Sequence, residues 1–110
     1  IVSAFLENQI KEIHLTNYVV VETTNFLLRK EGYGTAAEVL DSLVQSSRVK
    51  IRYVDELMGV RISTLFNKFG GLSLTDCSLI ALAEEEGINV IFSFDASFDK
   101  IQGISRKERI

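Results

Sequence analysis

SLTDCSLIALAEEEGINVIFSFD, Ser73 to Asp95, carries the signals of one helix followed by one strand. Ser73 can cap a helix, because a side-chain oxygen at that position accepts one of the free N–H groups of the first turn. Leu79, Ile80, Leu82 and Ala83 carry the helix forward, and Gly87 is its natural terminator, since glycine adopts the left-handed backbone that ends helices. Ile88 to Phe92 then reads as a short buried strand. Helix and strand alternate in this way through the rest of the chain, which implies a mostly parallel α/β sheet with helices on its faces.

Working upstream, Asp55 can cap a helix carrying Leu57, Met58, Ile62, Leu65, Phe66 and Phe69 and ending at Gly70-Gly71. Before it, Val49, Ile51 and Tyr53 alternate with Arg48, Lys50 and Arg52, the period-two signature of a strand with one wet face, near a sheet edge. Thr35 and Glu38 fit a capping box ahead of Val39, Leu40, Leu43 and Val44, an amphipathic helix start.

The segment from Tyr18 is disputed. Tyr18, Val19, Val20 and Val21 are β-formers, yet Thr16 or Asn17 can cap a helix there. Phe26, Leu27 and Leu28, followed by Arg29, Lys30 and a stop at Gly32, extend the run beyond strand length, and the helix reading is preferred. His14-Leu15-Thr16 suits a short strand. The spacing of Phe5, Leu6, Ile10 and Ile13 predicts one helical face over 1–13.

Composition bounds the function. A chain of 110 residues with 46% hydrophobic residues suits one globular domain, and its apolar runs stop far short of the roughly 18 residues that cross a membrane. Cys77 is the only cysteine, which excludes an internal disulfide and a cysteine-based zinc cage and favours a reducing, cytoplasmic setting. A net charge of −3 argues against nucleic-acid binding by bulk positive charge, though not against an acidic centre flanked by local cations. Arg48, Lys50 and Arg52, and the tail residues Arg106, Lys107 and Arg109, are such cations, with solvated surface as their ordinary role.

Three acids stand in contexts that would aim them at one place. Glu22 follows the valine run, Asp76 lies in the first turn of the helix capped by Ser73, and Asp95 falls just past the last apolar run. In an open α/β sheet the ligand site lies outside the carboxyl ends of the strands, where Asp95 falls. Clustered carboxylates suggest a hard divalent cation, which takes oxygen ligands and keeps several waters. Each acid also has a plain competing role: a solvated helix residue for Glu22, a capping-box partner of Ser73 for Asp76, and a turn residue for Asp95. Asp99, one turn beyond, reads as a surface acid. Thr75 and Ser93 could hold a carboxylate or phosphate by hydrogen bonding, or serve only as caps and turns. His14 has no partner at ligand spacing and reads as structural, Cys77 as a small buried residue, and Phe92, Phe94 and Phe98 as core. The run Glu84-Glu85-Glu86 sits where the helix dipole disfavours it, with solvation as the default.

Taken together these residues resemble the PIN domain, in particular its small stand-alone members typified by the VapC toxins. The resemblance rests on the acid in a helix after a short Thr-ending strand (Thr16 to Glu22), the Ser73-Leu74-Thr75-Asp76 element that opens a helix, and the Ser93-Phe94-Asp95-Ala96-Ser97-Phe98 element after the last core strand. Their order and spacing cover most of the chain. PIN domains begin with a strand carrying a further aspartate, and none precedes Asp41 here. Residues 1–110 are therefore expected to form a single PIN-like domain lacking the family's N-terminal strand or part of it.

The resemblance implies a three-layer fold with a mostly parallel central sheet and metal-dependent hydrolysis of RNA, with Glu22, Asp76 and Asp95 as catalytic residues that bind Mg²⁺ or Mn²⁺ directly or through water. It also implies cleavage that leaves the phosphate on the 5′ side of the product, an antitoxin protein that covers the acidic cleft, and a homodimer built on the apolar faces of the first helices. The alternative is a PIN-like RNA- or protein-binding scaffold without catalysis, which the missing aspartate favours.

Overall fold

The computed structural model describes residues 4–8, 11–93 and 95–108. Five strands form one sheet in the order β3-β2-β1-β4-β5, with β1 Ala4–Glu7, β2 Ile13–Thr16, β3 Val49–Arg52, β4 Val90–Ser93 and β5 Ser105–Lys107. β2 is parallel to β3 and β4 to β5, while β1 runs antiparallel to both of its neighbours. Four of the five strands therefore point the same way, around a reversed central strand. This is the expected α/β architecture with a mostly parallel sheet and flanking helices.

The helices are α1 Asn17–Lys30, α2 Tyr33–Gln45, α3 Glu56–Lys68 and α4 Leu74–Glu86, with a 3₁₀ turn at Ala96–Lys100. α4 is the keystone. Cys77 to Ala83 are buried without exception, the mark of a helix enclosed on all sides rather than one that floats on a surface. It packs on β1 and β2, against α1 and against α3. Leu6, Leu15, Ile62, Leu65, Leu79, Ile91 and Phe98 complete the core around it.

Local chemistry explains the helix ends. Thr16 caps α1, Asp55 caps α3 through Met58 N, and Ser73 and Asp76 form a reciprocal capping box at α4. Gly87 closes α4 in the left-handed conformation at φ 67°. The apolar residues of α3 divide as its helical period requires, with Met58, Ile62 and Leu65 inward and Leu57 and Phe66 outward. β3 lies at the sheet edge, as expected, with Lys50 exposed.

Three expectations are corrected. Residues 4–7 and 13 are strand, not helix, because Ala4 and Leu6 are buried on one face between β2 and β4, a period of two that long-range pairing selects over the helical spacing; Ile10 lies outside the described residues. The Thr35–Glu38 capping box does not form. α2 begins earlier, at Tyr33, after Gly32 at φ 92°, a left-handed value that glycine tolerates. The alternation read over Arg48 to Tyr53 breaks at its end: the strand stops at Arg52, which is half-buried where it pairs with Glu85 and Asp55, and Tyr53 beyond it is 64% exposed.

Candidate active site

The register places three segments at one edge of the sheet. Ala4 pairs with Ser93, and extending the β1–β2 register sets Thr16 level with Ala4. The carboxyl ends of β2 and β4 thus reach the same edge of the sheet with β1 between them, and α1 springs from the first while Asp95 follows the second by two residues. α4 returns its N-terminus to the same edge. There the Thr75 hydroxyl donates to Glu22 Oε2 at 2.6 Å, and Thr16 Oγ1 lies 2.7 Å from Ser78 Oγ.

Each acid is held by one oxygen. Glu22 is held by Thr75; Asp76 Oδ2 accepts from the Ser73 N–H at 3.3 Å while the Asp76 N–H donates to Ser73 Oγ at 3.0 Å; Asp95 Oδ1 accepts from the Ser97 N–H at 2.9 Å. Asp76 is half-buried, whereas Glu22 and Asp95 are exposed. Burial holds the Asp76 carboxyl above the usual carboxylate range, the Ser73 hydrogen bonds pull it down, and the charges of Asp95 and Glu22 push it further up. Asp76 thus feels the charges of both other acids.

This donor set is oxygen-only and anionic, the chemistry of a hard cation. A cation would oppose the repulsion that Asp76 feels. Among the described residues, however, no three His, Cys, Asp or Glu side chains form a group that could hold a metal ion between them. Direct ligation by fewer carboxylates, with waters completing the shell, is the mode that suits Mg²⁺.

The other candidates sort themselves by their contacts. The Asp99 carboxylate takes two hydrogen bonds from Arg106, at 2.8 and 3.2 Å, and is thereby neutralised. Arg106 also reaches the Ser93 carbonyl and Glu108, so it is a structural brace rather than the free surface cation its sequence suggested; Arg109 lies outside the described residues. Glu84 and Glu85 are paired with Arg61 and Arg52, which explains the acidic run better than solvation alone. His14 sits 3.0 Å from Asn8 Nδ2 and 3.6 Å from Glu12, a structural role. Cys77 is fully buried, and burial raises its thiol pKa, leaving it inert. Phe98 is core and Phe92 stacks on Phe5, while Phe94 lies outside the described residues. Ser93 Oγ accepts from the Asp95 N–H and shapes the turn that presents that acid. A groove of about 680 Å³ opens around Gly87, Ile88 and Lys100, at the opposite end of α4, and none of the three acids lines it.

The least visible element of the site is the contact between Thr16 and Ser78. Thr16 reads in sequence as a helix cap and Ser78 carries no motif; they lie 62 positions apart, and both are fully buried. A serine within an otherwise apolar or small-residue helical run was the available signal, because a buried hydroxyl requires a partner.

A family model described as PIN domain matches residues 1–104. Among solved structures, the crystal structure of VapC20 from Mycobacterium tuberculosis, a sarcin–ricin-loop-cleaving toxin, matches with a TM-score of 0.72 at 22% sequence identity, over 80% of this chain and 68% of that one. That identity supports likeness of fold alone. No curated protein matches the chain.

Proposed function

The chain belongs to the PIN-domain family, and on that premise we propose that it is a metal-dependent endoribonuclease hydrolysing RNA phosphodiester bonds, acting as the toxin of a toxin–antitoxin pair. The observation that carries the reading is the Thr75–Glu22 hydrogen bond, which brings the N-terminus of α4, with Asp76, against α1 at the same sheet edge that Asp95 follows out of β4. In this reading all three bind Mg²⁺ or Mn²⁺, directly or through water. An ion held by these acids would lower the pKa of a coordinated water and polarise the scissile phosphate.

The chain's own residues supply order. Thr75 holds Glu22, the Ser73 N–H holds Asp76 and the Ser97 N–H holds Asp95, so each acid keeps its direction before substrate arrives. An antitoxin arginine, whose planar fork matches a carboxylate, is suited to cover this cleft. Exposed Phe26 and Leu28 on α1 and Tyr33 and Val44 on α2 support a homodimer built on the first helices. Among the described residues no helix is long and apolar enough to cross a membrane, and we assign the protein to the cytoplasm on the toxin reading.

The second reading, a PIN-like scaffold without catalysis, is favoured by the lack of a three-acid metal group among the described residues. Labelled RNA containing all four bases, incubated with the protein over a Mn²⁺ titration, separates the two. Wild type should cleave and Asp76→Asn should not, with chelator abolishing cleavage. Mn²⁺ binding without cleavage would establish the scaffold, and cleavage unchanged in Asp76→Asn would overturn the assigned chemistry.

A further inference from the structure

Glu22 is an exposed side chain with several free torsions, and in solvent it would sample many rotamers, so holding it in one direction costs conformational entropy. Its partner Thr75 occupies the second position of α4 and takes no part in the capping box, which Ser73 and Asp76 complete between them. The Thr75 hydroxyl instead reaches across to α1, at a distance typical of a short charge-assisted O–H···O⁻ bond.

Thr75 is itself anchored from below. Ser78 Oγ donates to the Thr75 carbonyl at 2.6 Å. A hydroxyl has one proton, so in the 2.7 Å contact Thr16 must be the donor and Ser78 the acceptor. Thr16 Oγ1 in turn accepts from the Val19 N–H at 3.4 Å. The chain of bonds leaves α1 at Val19, passes through Thr16, Ser78 and Thr75, and returns to α1 at Glu22, one helical turn further on.

From this closed circuit we infer that Thr75 is a positioning residue, fixed by the buried Ser78–Thr16 pair, which locks the Glu22 carboxylate beside Asp76. The inference rests on the endoribonuclease reading for its catalytic consequence and on the hydrogen bonds alone for its structural one. Thr75 never touches substrate. It removes the rotamer search from Glu22, so its loss lowers turnover while leaving substrate affinity in place.

The test compares wild type, Thr75→Val and Thr75→Ser in the full chain. Valine keeps the shape and deletes the hydroxyl; serine restores it. Side-chain NMR couplings of Glu22 in the metal-free protein should report one rotamer in wild type and Thr75→Ser, and averaging in Thr75→Val. Mn²⁺-dependent cleavage of labelled RNA should show kcat about 10–100-fold lower in Thr75→Val, the usual range for a supporting hydrogen bond, with KM unchanged and recovery in Thr75→Ser. A single Glu22 rotamer in Thr75→Val, an unchanged kcat, or a serine variant as impaired as valine would each overturn the inference. If wild type cleaves no RNA, the endoribonuclease reading fails, and the NMR comparison alone decides whether Thr75 positions Glu22.

Discussion

Ser78→Ala removes one oxygen from the middle of α4 and is expected to be costly out of proportion to its size. Ser78 and Thr16 are both fully buried and 2.7 Å apart. Without Ser78 Oγ the Thr16 proton faces a space no water reaches, an orphan worth about 1–3 kcal/mol, and the lost bond to the Thr75 carbonyl adds about 0.5–1.5 kcal/mol. The total, about 1.5–4.5 kcal/mol, is a large part of the roughly 5–15 kcal/mol that holds a domain folded. Urea unfolding should register it as a midpoint lowered by about 0.8–2.3 M at a slope near 2 kcal/mol/M. Thr16→Val in the same background removes the orphan, at the cost of about 1 kcal/mol for the lost cap of α1. The double variant should therefore be less unstable than the sum of the singles, with a coupling of about 0.5–3 kcal/mol. A Ser78→Ala protein within about 0.5 kcal/mol of wild type, the scatter of an innocuous substitution, or strict additivity in the double variant, would refute the view that these hydroxyls tie α4 to the end of β2.

Other consequences follow the same chemistry. Because the Asp76 pKa is raised in the fold, its charged form disfavours folding above that raised value, and the penalty lifts as pH falls toward its ordinary range. Asp76→Asn should thus melt higher than wild type at pH 7 without divalent cation, and calorimetry showing a lower Tm would contradict this. Asp99 has the opposite sign: its hydrogen bonds from Arg106 depress its pKa, so its contribution is present above the ordinary aspartate range and disappears as pH falls through the depressed value. Asp99→Asn should flatten the acid limb of the Tm profile, and an unchanged slope there would count against the brace. Gly87→Ala places a Cβ at φ 67° with no steric neighbour, so only backbone strain of about 1–2 kcal/mol should appear in denaturant melts. Leu79→Ala, at the centre of the core, should cost about 2–5 kcal/mol by the same assay.

Local rules carried much of the architecture. The capping residues Thr16, Asp55 and Ser73 and the terminator Gly87 each depend on neighbours within a few positions, and each appears as read, while the β3 alternation holds only as far as Ile51. The valine-rich start of α1 folded as helix against local β-propensity because its cap and length outweighed four β-forming residues. What failed was set at long range. β1 looked helical because the pairing that makes it a central strand comes from β4, over 80 residues away. The partners of Glu84 and Glu85 lie 23 and 33 positions upstream, on α3 and β3. In the site, the acids were visible one by one, but the hydroxyl circuit that orders them crosses from α1 to α4 and exists only in three dimensions.

If Glu22, Asp76 and Asp95 make one cation-seeking pocket, anomalous diffraction from crystals grown with Mn²⁺ should show it. A peak is expected bounded by those three carboxylates, weakened or lost in Asp76→Asn crystals. A peak seated elsewhere, or three acids left without metal at saturating Mn²⁺, would contradict it.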